Sequence, residues 1–240
     1  ENTHGFTATS SSRSTTERKS FGAFMQAHGQ IWRRTYLTAG LGLEKNAIFG
    51  FAVTPRVSLG YYLRQGVSGT FLNSTKLRFN FGTGIKEPSV FHESSSLFGL
   101  LTELPNGNSL ISQFGVFPVG PEKSRSFDFG FDQKLWDGRA SLGINFFHNQ
   151  FFDLIEFVAK DTLPQLGVPI AAAEATPFGA AINSSSFYAL GMETEFLARL
   201  SNGFHVQGQY TYLKAAVSES FSSGAIQPAI NPLFPDIPIG

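Results

Sequence analysis

Four stretches of the chain alternate apolar and polar residues one by one, and the apolar member is often Phe. The clearest runs from Ser126 to Asp132, with Phe127, Phe129 and Phe131 set between Ser126, Asp128, Gly130 and Asp132. Residues 76–81, 141–146 and 204–210 follow the same rule. A period of two marks an extended strand with one apolar and one polar face. The polar face carries Asp, Arg, Asn, Gln and Gly, which suit water or a polar lumen better than a packed core. Lipid on one side and a polar lumen on the other define the strand of a transmembrane β-barrel.

Extending this reading predicts eight strands, near 19–31, 33–45, 53–64, 74–83, 122–136, 138–152, 185–200 and 202–216. Parity is legible in each. Leu37, Ala39, Leu41 and Leu43 oppose Thr38, Gly40, Gly42 and Glu44. Val57, Leu59, Tyr61 and Leu63 oppose Arg56, Ser58, Gly60, Tyr62 and Arg64. The connections alternate in length. Tight turns are expected at Trp32-Arg33-Arg34, Trp136-Asp137-Gly138-Arg139 and Leu200-Ser201-Asn202-Gly203, the last two with the Gly or Asn that hairpins favour. Longer links fall at 46–52, 84–121 and 153–184, which sets short turns at one rim and long loops at the other. Residues 65–73 break the pattern, being too long for a tight turn. Helical periodicity is weak throughout, with one turn expected at 171–175 between Pro169 and Pro177.

Composition narrows the class. Charged residues are 15% of the chain, against roughly 25% in soluble domains. The 18 basic and 18 acidic residues cancel, so no basic field exists to attract nucleic acid. Without cysteine, disulfides, thiolate metal sites and cysteine nucleophiles are excluded. No apolar run approaches the ~18 residues of a membrane helix. The first residues lack a signal peptide's basic start and apolar stretch, so an exported protein would begin further upstream.

Catalytic chemistry finds no support, and no catalytic residue, metal site or cofactor is expected. The five histidines show no metal-ligand spacing, and His92-Glu93 is the one adjacent pair of possible ligands. No Gly-x-Ser-x-Gly occurs, and Gly82-x-Gly84 lacks the third glycine of a dinucleotide loop. The long loops instead set aromatics among Ser, Gly and Asn: Phe91, His92, Phe98, Phe114 and Phe117 in the first, Phe157 in the second. Such residues either hold an amphipathic solute or fold the loop onto itself.

Several runs, taken in order, resemble TonB-dependent outer-membrane receptors. Leu77-Arg78-Phe79-Asn80-Phe81-Gly82-Thr83-Gly84-Ile85-Lys86-Glu87-Pro88 resembles that family's strand-to-loop signature. Pro121-Glu122-Lys123-Ser124 and Phe127-Asp128-Phe129-Gly130 look like its next strand, where Glu is common in place of Asp128. Asn183 with Gly191-Met192-Glu193-Thr194-Glu195 resembles its Asn…Gly-x-Glu-x-Glu strand, and Gln209-Tyr210-Thr211-Tyr212 the one after. The resemblance covers about residues 19–217 and implies a barrel of about 22 strands filled by an N-terminal plug.

On that resemblance the chain is all-β: an antiparallel meander of about eight strands, an arc of the larger barrel, with residues 1–240 a single partial barrel domain. The implied setting is the bacterial outer membrane. The implied function is energised uptake of a large scarce solute such as a siderophore, cobalamin, haem or glycan. The implied partners are outer-membrane lipid, the plug and the TonB energy complex. Arg78, Asp128, Glu193 and Glu195 are lumen-facing and either contact the plug or stay solvated. Two other readings remain open from the residues alone: a passive porin-like barrel complete in eight strands, and a soluble carbohydrate-binding β-sandwich.

Overall fold

The computed structural model describes residues 18–66, 68–176, 178–200, 203–221, 230–231 and 234–238. Eight strands form one antiparallel sheet in sequence order: β1 (Ser20–Trp32), β2 (Thr35–Asn46), β3 (Gly50–Arg64), β4 (Leu72–Lys86), β5 (Glu122–Leu135), β6 (Ala140–Val158), β7 (Ala180–Arg199) and β8 (His205–Glu219). Two short strands, β9 (Ile230–Asn231) and β10 (Phe234–Pro238), pair only with each other. All eight expected strands are present, and the helices lie in the loops. β1 pairs only with β2, and β8 only with β7. The described sheet is therefore an open arc, not a barrel complete in eight strands. It is also a single sheet, which excludes two sheets packed as a sandwich.

Cross-strand register confirms the parity. Phe79, Phe129, Phe146, Met192 and Tyr212 lie in one row across β4 to β8. Arg78, Gly130, Asn145, Glu193 and Thr211 form the adjacent row on the opposite face. One face is thus rich in aromatics and the other in charged, amide and glycine residues, as a wall between lipid and a wet lumen requires. No described helix is long and apolar enough to cross a membrane, so any crossing is made by the strands.

Two expectations about connections are corrected. Residues 46–52 are not a long link: β2 and β3 turn tightly at 47–49. The Asn46 side chain accepts the Ile48 N–H at 2.7 Å and Gly50 supplies a φ of +73°, which together close the hairpin. β6 and β7 extend to Val158 and from Ala180, shortening the second long loop. Asp153, at φ +54°, sits where the β6–β7 register shifts, so alternation fails there although the ladder continues. The 65–71 link is longer than a tight turn, as expected, and its residues 69–71 pack on the β5–β6 turn. Trp136 N–H donates to the Phe71 carbonyl at 2.9 Å, and Gly69 N–H to Asp137 Oδ1 at 2.8 Å.

The first long loop holds three helices that the sequence reading missed: α1 (Val90–Ser94), α2 (Leu97–Thr102) and α3 (Gly107–Phe114). Each is too short for a periodicity of 3.6 to register. Serine caps start the first two: Ser89 Oγ accepts the His92 N–H, and Ser96 Oγ the Gly99 N–H. α3 ends on Gly115 in the left-handed region, at φ +60°. The second long loop carries α4 (Ile170–Glu174), at the turn of helix expected there.

The buried apolar core lies in this cap, not in the wall. Leu97, Leu101, Leu163 and Leu166 are fully buried, joined by Val116, Val168 and Ile182. Burying one such leucine contributes about 1.5–3 kcal/mol, enough to order short loop segments against each other. The two long loops therefore form one packed body. Asn183 fastens it to the sheet by accepting the Gly120 N–H at 2.6 Å and donating to the Gly120 carbonyl at 3.0 Å. Ala181 N–H donates to the Ser95 carbonyl at 2.8 Å, covering a stretch of β7 above its pairing with β8.

Candidate functional site

The structure gathers the residues singled out from sequence into two places. At the loop end, three of the six aromatic candidates meet. The Phe91 ring lies 5.9 Å from Phe157 and 6.4 Å from His92, and His92 lies 5.6 Å from Phe157. Phe178, on the second loop, joins edge-on at 6.0 Å from Phe91. Phe91 is 41% exposed and Phe178 70%, so the cluster is an open aromatic surface. His92 is held by its own helix start, where Nδ1 faces the Ser89 N–H at 3.4 Å. Arg18 adds support, with an ion pair to Glu93 at 2.7 Å and a bond to the Pro88 carbonyl at 2.6 Å.

The other candidates sit differently. Phe98 and Phe114 pack against the apolar core of the cap. Phe117 is 75% exposed. Sequence alone could not separate these from Phe91, because which loop aromatic turns inward is decided by tertiary packing within and between the two loops.

The second place is the lumen face. Arg78 bonds Asp132 through two nitrogens, Nε at 2.7 Å and an Nη at 3.0 Å. Gly130 lies beneath the guanidinium, and a side chain there would collide with it. The pair is about one-third exposed on each side, so its Coulomb energy is largely screened and its value is orientation more than stability. Beside it runs a groove of about 410 Å³ lined by Asn145, Glu193, Glu195, Gln209 and Thr211. Asn145 Oδ1 is buried without a hydrogen-bond partner, and neither glutamate has an ion-pair partner among the described residues. Asp128 lies on the same face one row further along, with Asn80, Phe147 and Gly191 as row neighbours. Asp132, Gln209 and Thr211 belong to this groove, and alternation alone placed them on its face.

An open antiparallel arc with one aromatic face, one polar face and long loops at a single end is a sector of an outer-membrane β-barrel wall. The chain belongs to the TonB-dependent receptor-like β-barrel family, whose model matches residues 1–234. Its place is the bacterial outer membrane. No curated protein sequence matches it. Among solved structures it is similar to the siderophore receptor PirA from Pseudomonas aeruginosa, at 15% identity and a TM-score of 0.54, over 82% of this chain and 32% of that one. It is similar to the RagAB peptide importer in the 'open-open' state, at 12% identity and a TM-score of 0.63, over 89% and 23%. It is similar to the pyoverdine outer membrane receptor FpvA from Pseudomonas aeruginosa PAO1, at 15% identity and a TM-score of 0.54, over 84% and 26%. The chain therefore spans about a third or less of these structures, and at such identity the likeness is one of fold.

Proposed function

We propose that residues 1–240 form one sector of a single barrel domain in an energised importer of a large solute. In this reading the cluster of Phe91, His92, Phe157 and Phe178 touches the solute as it arrives. Phe98 and Phe114 hold the cap in shape, and Phe117 is a further exposed contact. Arg78, Asp128, Glu193 and Glu195 face a plug, whose basic and amide groups would meet the unpaired carboxylates and Asn145 Oδ1. The energy-coupling complex acts through that plug. The observation that carries the reading is the fused cap: two distant loops combine to hold an open aromatic surface at the loop end of a polar-walled arc.

The proposed solute is amphipathic, with an apolar face for the three phenylalanines. Ferric siderophores, cobalamin, haem and glycans with an exposed sugar face all meet that description. PirA is a siderophore receptor and RagAB a peptide importer, so the shared fold does not choose the solute class.

The test uses the full-length receptor in a strain lacking its own copy. A panel of these solutes is offered, and uptake is followed before and after the proton-motive force is collapsed. Energised import predicts uptake that the collapse abolishes, and a Phe91→Ala/Phe157→Ala variant that assembles normally but binds the solute at least tenfold more weakly. Uptake that survives the collapse would mean passive diffusion. Unchanged binding by the variant would remove the aromatic cluster from the path.

A further inference from the structure

The short-turn rim repeats one composition at each of its four connections. An exposed aromatic residue stands near an arginine every time: Trp32 with Arg33 and Arg34, Phe71 after Arg64, Trp136 with Arg139, and Phe204 after Arg199. These aromatics are 72%, 56%, 51% and 70% exposed, and they include both tryptophans of the chain. A ring of such residues marks the level of the lipid headgroups.

The charges at the two rims differ in kind. At the loop end, Arg18, Lys86 and Lys123 are each paired with a carboxylate. At the short-turn rim none of the five arginines has an ion-pair partner among the described residues. The acid nearest them, Asp137, is occupied by the Gly69 N–H at 2.8 Å and the Asn73 amide at 3.5 Å.

One part of this rim is hollow. A cleft of about 620 Å³ lies between residues 69–71 and the β5–β6 turn, lined by Phe71, Trp136, Asp137, Arg139, Arg199 and Leu200. Its walls are fixed. Trp136 packs edge-on against Phe71 at 5.2 Å, and Arg199 N–H donates to the Arg139 carbonyl at 2.7 Å, tying the two arginines' backbones together.

We propose that this cleft binds the headgroup of an anionic phospholipid from the leaflet that meets the short-turn rim, the periplasmic one in this family. The phosphate sits between the guanidiniums of Arg139 and Arg199, whose planar donors match phosphate oxygens. The glycerol and the first chain carbons lie along Phe71, Trp136 and Leu200. Two features choose a lipid over a soluble anion: the apolar half of the lining and the aromatic girdle that continues on either side. The one carboxylate of the lining, Asp137, is outnumbered by the two guanidiniums and already accepts from the Gly69 N–H and the Asn73 amide.

The experiment is lipid retention by the purified full-length receptor in native mass spectrometry, titrated with phosphatidylglycerol and, separately, phosphatidylethanolamine. Phosphatidylglycerol should be retained in preference. Apparent affinity should fall about fivefold for each of Arg139→Gln and Arg199→Gln, the scale of one basic residue at an anionic surface. Phosphatidylethanolamine, whose ammonium offsets the shared phosphate, should be retained more weakly from the start and lose less in the same variants. Arg33→Gln/Arg34→Gln, at another turn of the same rim, should leave this site intact. Equal losses from both pairs would mean diffuse surface charge and overturn the site. So would inorganic phosphate binding as tightly as the lipid. Unchanged lipid retention in a variant that loses uptake would assign the cleft to a protein partner instead, and would also overturn it.

Discussion

Phe129 is the place to test which face of the arc meets lipid. It lies seven residues from Glu122 and six from Leu135, close to the centre of β5. With a rise of about 3.3 Å per residue and a strand tilt of about 40°, either end of β5 is roughly 15–18 Å away along the membrane normal. The apolar band of such barrels is about 25 Å tall, which places Phe129 near its midplane. Its side chain is 47% exposed and sits between Phe79 and Phe146 in the same row. Phe129→Arg should then cost about 2–4 kcal/mol, the range for a basic residue at that depth. The chain carries its own calibration. Arg125 shares the parity of Phe129 but is four residues higher, roughly 10 Å, close to the edge of the band, where the cost falls to about 0–1 kcal/mol. Phe127→Arg should therefore cost an intermediate amount. Asp128→Arg should cost much less than Phe129→Arg, because its row neighbours Asn80 and Gly191 lie on the lumen side. The assay is reversible urea unfolding of the full-length receptor from lipid vesicles, with each variant compared at equal lipid composition. Equal losses at 128 and 129, or a larger loss at 128, would exchange the two faces and refute the membrane assignment of the whole sheet, since register ties every strand to this one.

Two further outcomes test the wall and its cap. Gly191→Ala should destabilise by about 1–3 kcal/mol, because a methyl there would overlap the Tyr212 carbonyl oxygen and the Phe147 ring. Gly143→Ala, on the same face but with its nearest neighbour at 3.6 Å, should change stability by less than about 0.5 kcal/mol, and unfolding midpoints that rank the two the other way would contradict the packing described. Asn183→Ala removes the paired bonds to Gly120 and should weaken that tether by about 1–3 kcal/mol. Hydrogen exchange should then quicken in residues 116–121 while α2, held by the apolar core, stays protected, and unchanged exchange at 116–121 would show that the asparagine is not the fastening.

The strands were legible because their information is local. A row such as Phe127, Phe129 and Phe131 against Asp128 and Asp132 states its secondary structure and both faces at once. Legibility ended where one residue breaks the local rule. Asp153 interrupts the alternation of β6, and the strand continues past the expected end at 152 through six residues, 153–158. The residue pattern puts Asn46 at the start of a loop, although its side chain builds the turn. The helices of the cap hold five to eight residues each and are stabilised by segments from the other loop, so no local period announces them. The candidate site divides the same way. The lumen residues followed from parity. Of the loop aromatics, the choice between Phe91 at the surface and Phe98 in the core depends on tertiary contacts that no pattern of residues in one loop encodes.

Wall and cap answer to different solvents, and this sets what each can do. In the wall, apolar side chains turn outward, and the cohesion of the sheet lies in its ladders and cross-strand rows. Removing the membrane would leave Phe129, Phe146 and Tyr212 facing water. The two edge strands make the dependence stronger. β1 is exposed along its whole length and β8 along nearly all of it, and each leaves one side of its backbone unpaired within the described sheet. Unpaired backbone is costly in lipid and prone to association in water, so the arc is stable only when further strands of the same barrel complete it. The cap instead has its own apolar core, with leucines inside, although aromatics such as Phe91, Phe117 and Phe178 remain exposed on it. Its shape is therefore set by its own core and by Asn183, not by lipid. That independence is what lets an aromatic surface stand at the loop end in a fixed arrangement, while the wall beneath it is specified by alternation alone.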